Sequence, residues 1–476
     1  MIRNIILTVF LACLVLFITP CSAFAAIDVV YPSSKQVVIN ADSTFFIGNT
    51  GKGSSFYINS TPVKLWNNNF FVHVVPLNYG KNVIRLTSKN NGKTDEVTYT
   101  ITRNKPSSSK AVKPVFIPKK DDEVLYTKTI KENATIRDNP SSASRRIVDL
   151  PENVILYLEG RRGDYYKIEE KGESAFWVHK SNIKEPVSLS EKMMPKLKNT
   201  KFYSDKLYNY TKFYLSHPVL FETKQNGKSV ELTLYGIETK DKDGIVSPNY
   251  KYLFNFNSPV LGYDCYYEDN NLIFRTAKLG DDIDLTNPLK NIRIFVDAGH
   301  GGTEKGAVGP TRVNEKDINL EISKYLAHYL KEAGAVVITS RTEDTKIGLY
   351  ERVDTAKKNN ALISISIHNN SLPNGKDPYV KHGSEVHYYN ENAKLLAEII
   401  NTNLVNDLSL KNGGVFKSSF ALNRSTNPVS VLVEVAYMIN PEEYILLQNP
   451  QFQKNAAKSI KNSIEKYIID IKNSEL

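Results

Sequence analysis

Two hydrophobic periods divide this chain. Up to about residue 289, short runs rich in Val, Ile, Phe and Tyr alternate with turn residues, as at positions 43–47, 69–75 and 81–86; beyond residue 290, strand-like runs alternate with helical ones. A period of two places successive side chains on opposite faces of a strand, and a period near 3.6 gathers them on one face of a helix. In the second part, residues 294–296, 335–338, 361–368, 385–389 and 431–433 therefore read as strands. Ile318, Ile322, Leu326 and Leu330 line one helix face, and further helices are expected over 349–358, 391–408 and a final stretch to about 469. Such alternation predicts an α/β domain with a largely parallel sheet behind N-terminal all-β modules. No periodic internal repeat stands out.

A length of 476 residues implies roughly three or four domains at the usual one to two hundred residues each. Residues 26–103 predict a small β-sandwich, similar to the immunoglobulin-like modules of bacterial surface proteins. Residues 104–122, NKPSSSKAVKPVFIPKKDD, have no period that could bury a face and read as a linker. Residues 123–185 resemble a bacterial SH3-like domain, because ATIRDNPSSAS, GDYYKI and FWVHKSNI fall in that family's order and spacing. Residues 186–289 form a further β-rich module around 230–234, 250–256 and 271–275, with a helical hairpin or an extension of the last domain as alternatives. Residues 290–476 are the α/β domain.

At the N-terminus, Arg3 precedes an apolar run over 5–18, followed by Pro20 and the small-residue site Ala23-Phe24-Ala25, so residues 1–25 read as a cleaved secretory signal. A transmembrane anchor is the alternative, but the run is short of the ~20 residues that span a bilayer. Pro20 directly before Cys21 fits lipid attachment poorly. Cys13 and Cys21 would leave with the signal, and an exported chain keeping only Cys265 has no internal disulfide. Lys plus Arg outnumber Asp plus Glu by 61 to 51, which favours polyanionic partners outside the membrane, with a biased genome composition as the alternative source of the lysine excess. Anionic wall polymers are expected among them; nucleic acid is not.

Four residues of the last third carry candidate chemistry: His300 in VDAGHGG, Glu315 in NEKDINL, His368 in SISIHNN and Glu434 in VLVEVAY. Two histidines and a carboxylate hold zinc with a position left open for water, and a further glutamate can move that water's proton. Open α/β sheets place ligands at the carboxyl ends of their strands, where His300, His368 and Glu434 are expected. Each also has a structural reading: a tight turn for His300, a strand end for His368, a helix N-terminal charge for Glu315. Glu434 is hardest to explain structurally, because a carboxylate after three aliphatic residues is costly to bury without a partner. His382 and His387 are the nearest competing ligands, whereas His73, His179, His217 and His328 are not expected to bind metal. GHGGTEKG matches neither the dinucleotide fingerprint nor the phosphate-binding loop.

The order and spacing of IFVDAGHGG, EKDIN, SRTED, ERVDTAKK, SISIHNNS, GSEVHYY and VLVEVAYMINPEEYILL resemble the zinc-dependent N-acetylmuramoyl-L-alanine amidase family over about 291–470. The resemblance implies one zinc ion on His300, Glu315 and His368, Glu434 as catalytic acid-base, and peptidoglycan as substrate, cut between the lactyl group of N-acetylmuramic acid and L-alanine. Asn370 and Arg341 are candidates for substrate binding or for orienting the ligands. Residues 186–289 faintly resemble the amidase N-terminal type of wall-binding module. Departures are Ala298 in place of proline, Asn369 in place of alanine and His387 in place of an aromatic; none is expected to touch a ligand. Residues 369–381 leave no room for the blocking helix of some members. A secreted, monomeric autolysin follows from this reading, with a protein activator an open matter. A wall-binding protein with an inactive fold and a zinc peptidase of the stem peptide are the alternatives.

Overall fold

The computed structural model describes residues 26–474 apart from residue 68 and residues 107–113, 170–174, 190–191, 193–194, 241–245 and 281–282. The expected signal and the middle of the expected linker lie outside the described residues. Among the described residues no helix is long and apolar enough to cross a membrane. The described residues divide into two compact units, one of residues 26–106 with the short segments 309–312 and 373–377, the other of the remaining described residues.

In the first unit, a three-stranded sheet (Asp28–Tyr31, Ser43–Asn49, Phe70–Pro76) and a five-stranded sheet that includes Ser55–Ile58, Gly80–Asn90 and Lys93–Arg103 enclose one core. Phe46, Phe56, Phe71, Leu86 and Ile101 fill it. Phe56 of one sheet stacks on Phe71 of the other with centroids 4.1 Å apart.

The second unit begins with an eight-stranded sheet over residues 116–189, followed by a four-stranded and a three-stranded sheet over 197–277. Two expectations change here. The end of the supposed linker, Phe116–Pro118, pairs as a strand with Ile155–Arg162. Phe116 meets Trp177 edge-on at 6.0 Å, and Gly160, at φ +154°, has no side chain to collide with the Ile117 carbonyl. The two segments expected as separate modules also share one core. Ile136, Leu158, Phe176 and Val178 belong to the same cluster as Phe213, Leu234, Tyr235 and Phe274, with Phe176 and Tyr235 at 4.9 Å. Periodicity reports which face of a strand is buried, not what is buried against it.

The C-terminal α/β part has six strands, β1 (Arg293–Ala298), β2 (Val336–Thr339), β3 (Ile363–Asn370), β4 (Ser384–Tyr388), β5 (Asn412–Lys417) and β6 (Val429–Tyr437). Five helices accompany them, α1 (Glu315–Glu332), α2 (Leu349–Lys358), α3 (Lys394–Leu408), α4 (Pro441–Leu447) and α5 (Pro450–Asn473). The strand order is β2-β1-β3-β6-β4-β5. Pairs are parallel except β4 with β6, so the sheet is mixed.

Its two faces differ. Asn369 of β3 bonds Asn319 of α1, and α1 and α3 both pack against α5. On the other face Phe295 packs with Ala356 of α2. Asp297 pairs in register with Ser366, His368 with Glu434, Glu434 with Glu385, and His387 with Phe416. Register partners point the same way. The α2 face therefore carries polar side chains from β1 to β4, with Leu432 among them, and ends on Phe416 of β5.

Candidate active site

His300 stands just beyond β1 with φ at +59°, a left-handed conformation uncommon for a residue with a side chain. Two buried arginines stabilise this turn. The Arg352 guanidinium pairs with Asp297 at 2.5 Å and donates to the carbonyls of Ala298 and His300, both at 2.7 Å. Arg341 donates to the carbonyls of Ala298, Gly299, Glu343 and Lys316. Ser366 donates to the second Asp297 oxygen at 2.6 Å. A Cβ on Gly299 would run into the His368 imidazole, so only glycine lets the two segments approach. Arg352→Ala is expected to destabilise the fold by about 3–5 kcal/mol, because it leaves Asp297 buried and unpaired. Urea unfolding at neutral pH measures this, and a loss under ~1 kcal/mol would contradict the assigned role.

Glu315 is the first residue of α1. Its Oε1 accepts from Asn319 Nδ2 at 3.1 Å and the Asn369 amide at 3.2 Å, and lies 2.9 Å from His368 Nδ1. Its Oε2 accepts from the Ala307 amide at 2.8 Å and lies 3.2 Å from His300 Nε2. Burial by itself would raise this carboxyl's pKa, but hydrogen bonds from His300 and His368 outweigh it and hold the group well below the usual carboxylate range. The two imidazole centroids are 4.9 Å apart. Among the described residues, His300, Glu315 and His368 are the one group of three donors close enough to share a metal ion, with donor atoms within 4.8 Å of one another. The His300 side chain is 31% exposed, so the group faces solvent on one side.

Glu434 lies beside His368 in register. It does not end its strand as expected, because β6 continues to Tyr437 through an irregularity in the ladder with β3. Its Oε2 is buried and has no hydrogen-bond partner among the described residues. Burial, and then the charges of Glu315 and Glu385, push its pKa well above the usual carboxylate value.

Glu385, directly across from Glu434 on β4, is the contrasting carboxylate. It accepts from Tyr437 Oη at 2.7 Å, from Asn370 Nδ2 at 3.1 Å and from the Lys381 ammonium. Burial opposes its ionisation, but contacts with His387, Lys381 and Tyr437 lower its pKa overall.

Asn370 thus connects β3 to Glu385, and Arg341 is committed to backbone carbonyls around the His300 turn. His382 lies 2.7 Å from Glu443 and His387 2.9 Å from Ser418, both outside the three-donor group. At Asn369 the backbone amide bonds Glu315, as any residue's would, while the side chain that departs from the family reaches only Asn319, which bonds Glu315 in turn. Residues 371–383 contain no helix.

Residues 294–466 match the family model described as N-acetylmuramoyl-L-alanine amidase. The uncharacterized protein YqiI of Bacillus subtilis is 36% identical over 183 residues, covering 38% of this chain and 86% of that one. The chain belongs to the N-acetylmuramoyl-L-alanine amidase family. The germination-specific N-acetylmuramoyl-L-alanine amidase of B. subtilis is 32% identical, over 38% of this chain and 82% of that protein. The B. subtilis amidase LytC is 34% identical over 38% of this chain, and only 37% of LytC's own length is covered.

Within this family member, sequence reasoning passed over Glu385, Arg352, Asp297 and Asn319. Glu385 had the same signal as Glu434, a carboxylate inside a β run (GSEVHYY). For Arg352 and Asn319, helical position identified a buried face but not the carbonyl or carboxylate that meets it.

Proposed function

We propose that this chain is a secreted, zinc-dependent N-acetylmuramoyl-L-alanine amidase that cleaves peptidoglycan between the lactyl group of N-acetylmuramic acid and L-alanine. The observation that carries the reading is the convergence of His300, Glu315 and His368 beside a buried, unpartnered carboxylate oxygen of Glu434. Two nitrogens and one oxygen suit zinc, and the orphaned oxygen fits a site whose partners arrive with ion, water and substrate. Zinc bound by these three residues would lower the pKa of a water from 15.7 toward about 7 and polarise the amide carbonyl. A cation held there would favour the ionised form of Glu434, which then accepts the water's proton and returns it to the leaving L-alanine amine. Glu385 keeps its charge through Lys381 and Tyr437 and fixes the Asn370 side chain beside the site. Asn319 and Arg341 act on Glu315 and on the turn before His300, orienting ligands without touching substrate.

The upstream sheets are read as an immunoglobulin-like module over 26–103, an SH3-like module over 123–185 and an amidase N-terminal-like module over 186–289, which hold the enzyme on peptidoglycan and anionic wall polymers. The catalytic domain spans 290–476, and residues 1–25 direct export. Removing residues 26–106 is expected to weaken wall sedimentation severalfold while leaving cleavage of small soluble substrates unchanged; equal wall binding would remove the targeting role from that unit. A cut at 185 is a poorer test, because it divides the core shared by Phe176 and Tyr235.

The deciding experiment is mass spectrometry of products from peptidoglycan treated with the purified protein, with and without chelator. Chelator-sensitive release of stem peptides with a free L-alanine amine is expected. Cuts within the peptide would establish the peptidase instead, and no cuts would favour the inactive fold.

A further inference from the structure

On the α2 face of the sheet, beyond Glu434 and Glu385, lies an aromatic surface that meets Glu385 through His387, at 3.7 Å. His387 stands two residues along β4 from Glu385 and is the register partner of Phe416 on β5. Its ring stacks on Phe416 at 5.5 Å and meets Phe420 edge-on at 5.3 Å. Phe416 and Phe420 remain 38% and 42% exposed. Two strands across and two residues along place Phe416 roughly 12 Å from Glu434, about the length of a disaccharide.

Charge selects the occupant. Two cations beside the rings are already paired, Lys381 with Glu385 and Lys417 with Glu391, the latter at 2.7 Å. Lys381 also lies over the Phe416 ring at 5.1 Å. A surface built for the carboxylates of a stem peptide would present free cations. This one presents the exposed parts of the Phe416 and Phe420 rings, packed on a largely buried His387, beside a few neutral polar groups such as Ser418, which bonds His387 at 2.9 Å. Aromatic faces with sparse polar groups suit the apolar face of a neutral pyranose ring.

We propose that His387, Phe416 and Phe420 form a subsite for the glycan strand, roughly one disaccharide from the scissile amide. This rests on the peptidoglycan reading of the site. It makes the enzyme selective for peptides still attached to a sugar chain over lactyl-peptides without one.

The test is the fluorescence of full-length Phe416→Trp against the unsubstituted protein, which accounts for Trp66 and Trp177. Each is titrated separately with peptide-free glycan strands and with sugar-free stem peptide. A saturable change with glycan strands alone is expected, weakened about tenfold when Phe420→Ala is added. A change with the stem peptide alone, with both ligands equally, or with neither overturns the proposal. The readout needs no turnover, so the product analysis above can fail while the subsite stands, and the reverse.

Discussion

Glu434→Gln is expected to lower kcat by about 10³-fold, within the usual contribution of a general acid-base, while zinc content stays at that of the unsubstituted protein. The amide keeps the carboxylate's shape but cannot take a proton, and the three donors proposed to hold the ion lie elsewhere, on His300, Glu315 and His368. The same change is expected to stabilise the chelator-treated protein. Burial and the charges of Glu315 and Glu385 raise the Glu434 pKa in the folded state above its unfolded value. Stability from the protonated group is therefore fully present below the unfolded carboxylate pKa and is lost as pH rises through the folded one. Chelated Glu434→Gln should lack that loss and melt higher at neutral pH. Retained turnover would remove the acid-base role, and an unchanged pH dependence of melting would remove the account of its burial.

His300→Ala is expected to abolish activity and bring bound zinc well below one per chain. Three protein ligands leave no spare donor, and His382 and His387 are engaged with Glu443 and Ser418. The fold should persist, because the turn is stabilised through backbone carbonyls by Arg341 and Arg352, not through the imidazole. Metal analysis with a far-ultraviolet circular dichroism melt separates the two effects. A fully metallated His300→Ala protein would show that the ligand set is wrong, whereas a large drop in melting temperature would show that the ring carries structural weight. Excess zinc should restore little, since removing a ligand alters the site itself and not only its orientation.

Much of the C-terminal domain was legible because its elements are long and strongly periodic. The helix over 349–358 was read with the bounds it has in the structure, and α1 buries the Ile318, Ile322, Leu326 and Leu330 stripe that its spacing predicted. What escaped was short or atypical in composition. β5 is NGGVFK, where two glycines and polar flanks hide an edge strand, and α4 has only seven residues. The antiparallel placement of β4 against β6 was not legible either, since it depends on which distant strand each edge meets.

The sequence alone determined the period of each element and the residue types able to do hydrolytic chemistry. It also determined the positions of His300, His368 and Glu434 after or within apolar runs, because those follow from local spacing and the alternation of side chains along a strand. Tertiary structure decided everything that needs two distant segments. It showed that Glu385 faces Glu434, that Arg341 and Arg352 close on the His300 turn, that Asn369 reaches Glu315, and that the two middle β segments share one core. A buried polar group must find a partner. The chain around it shows that one is needed, but only the fold shows which one.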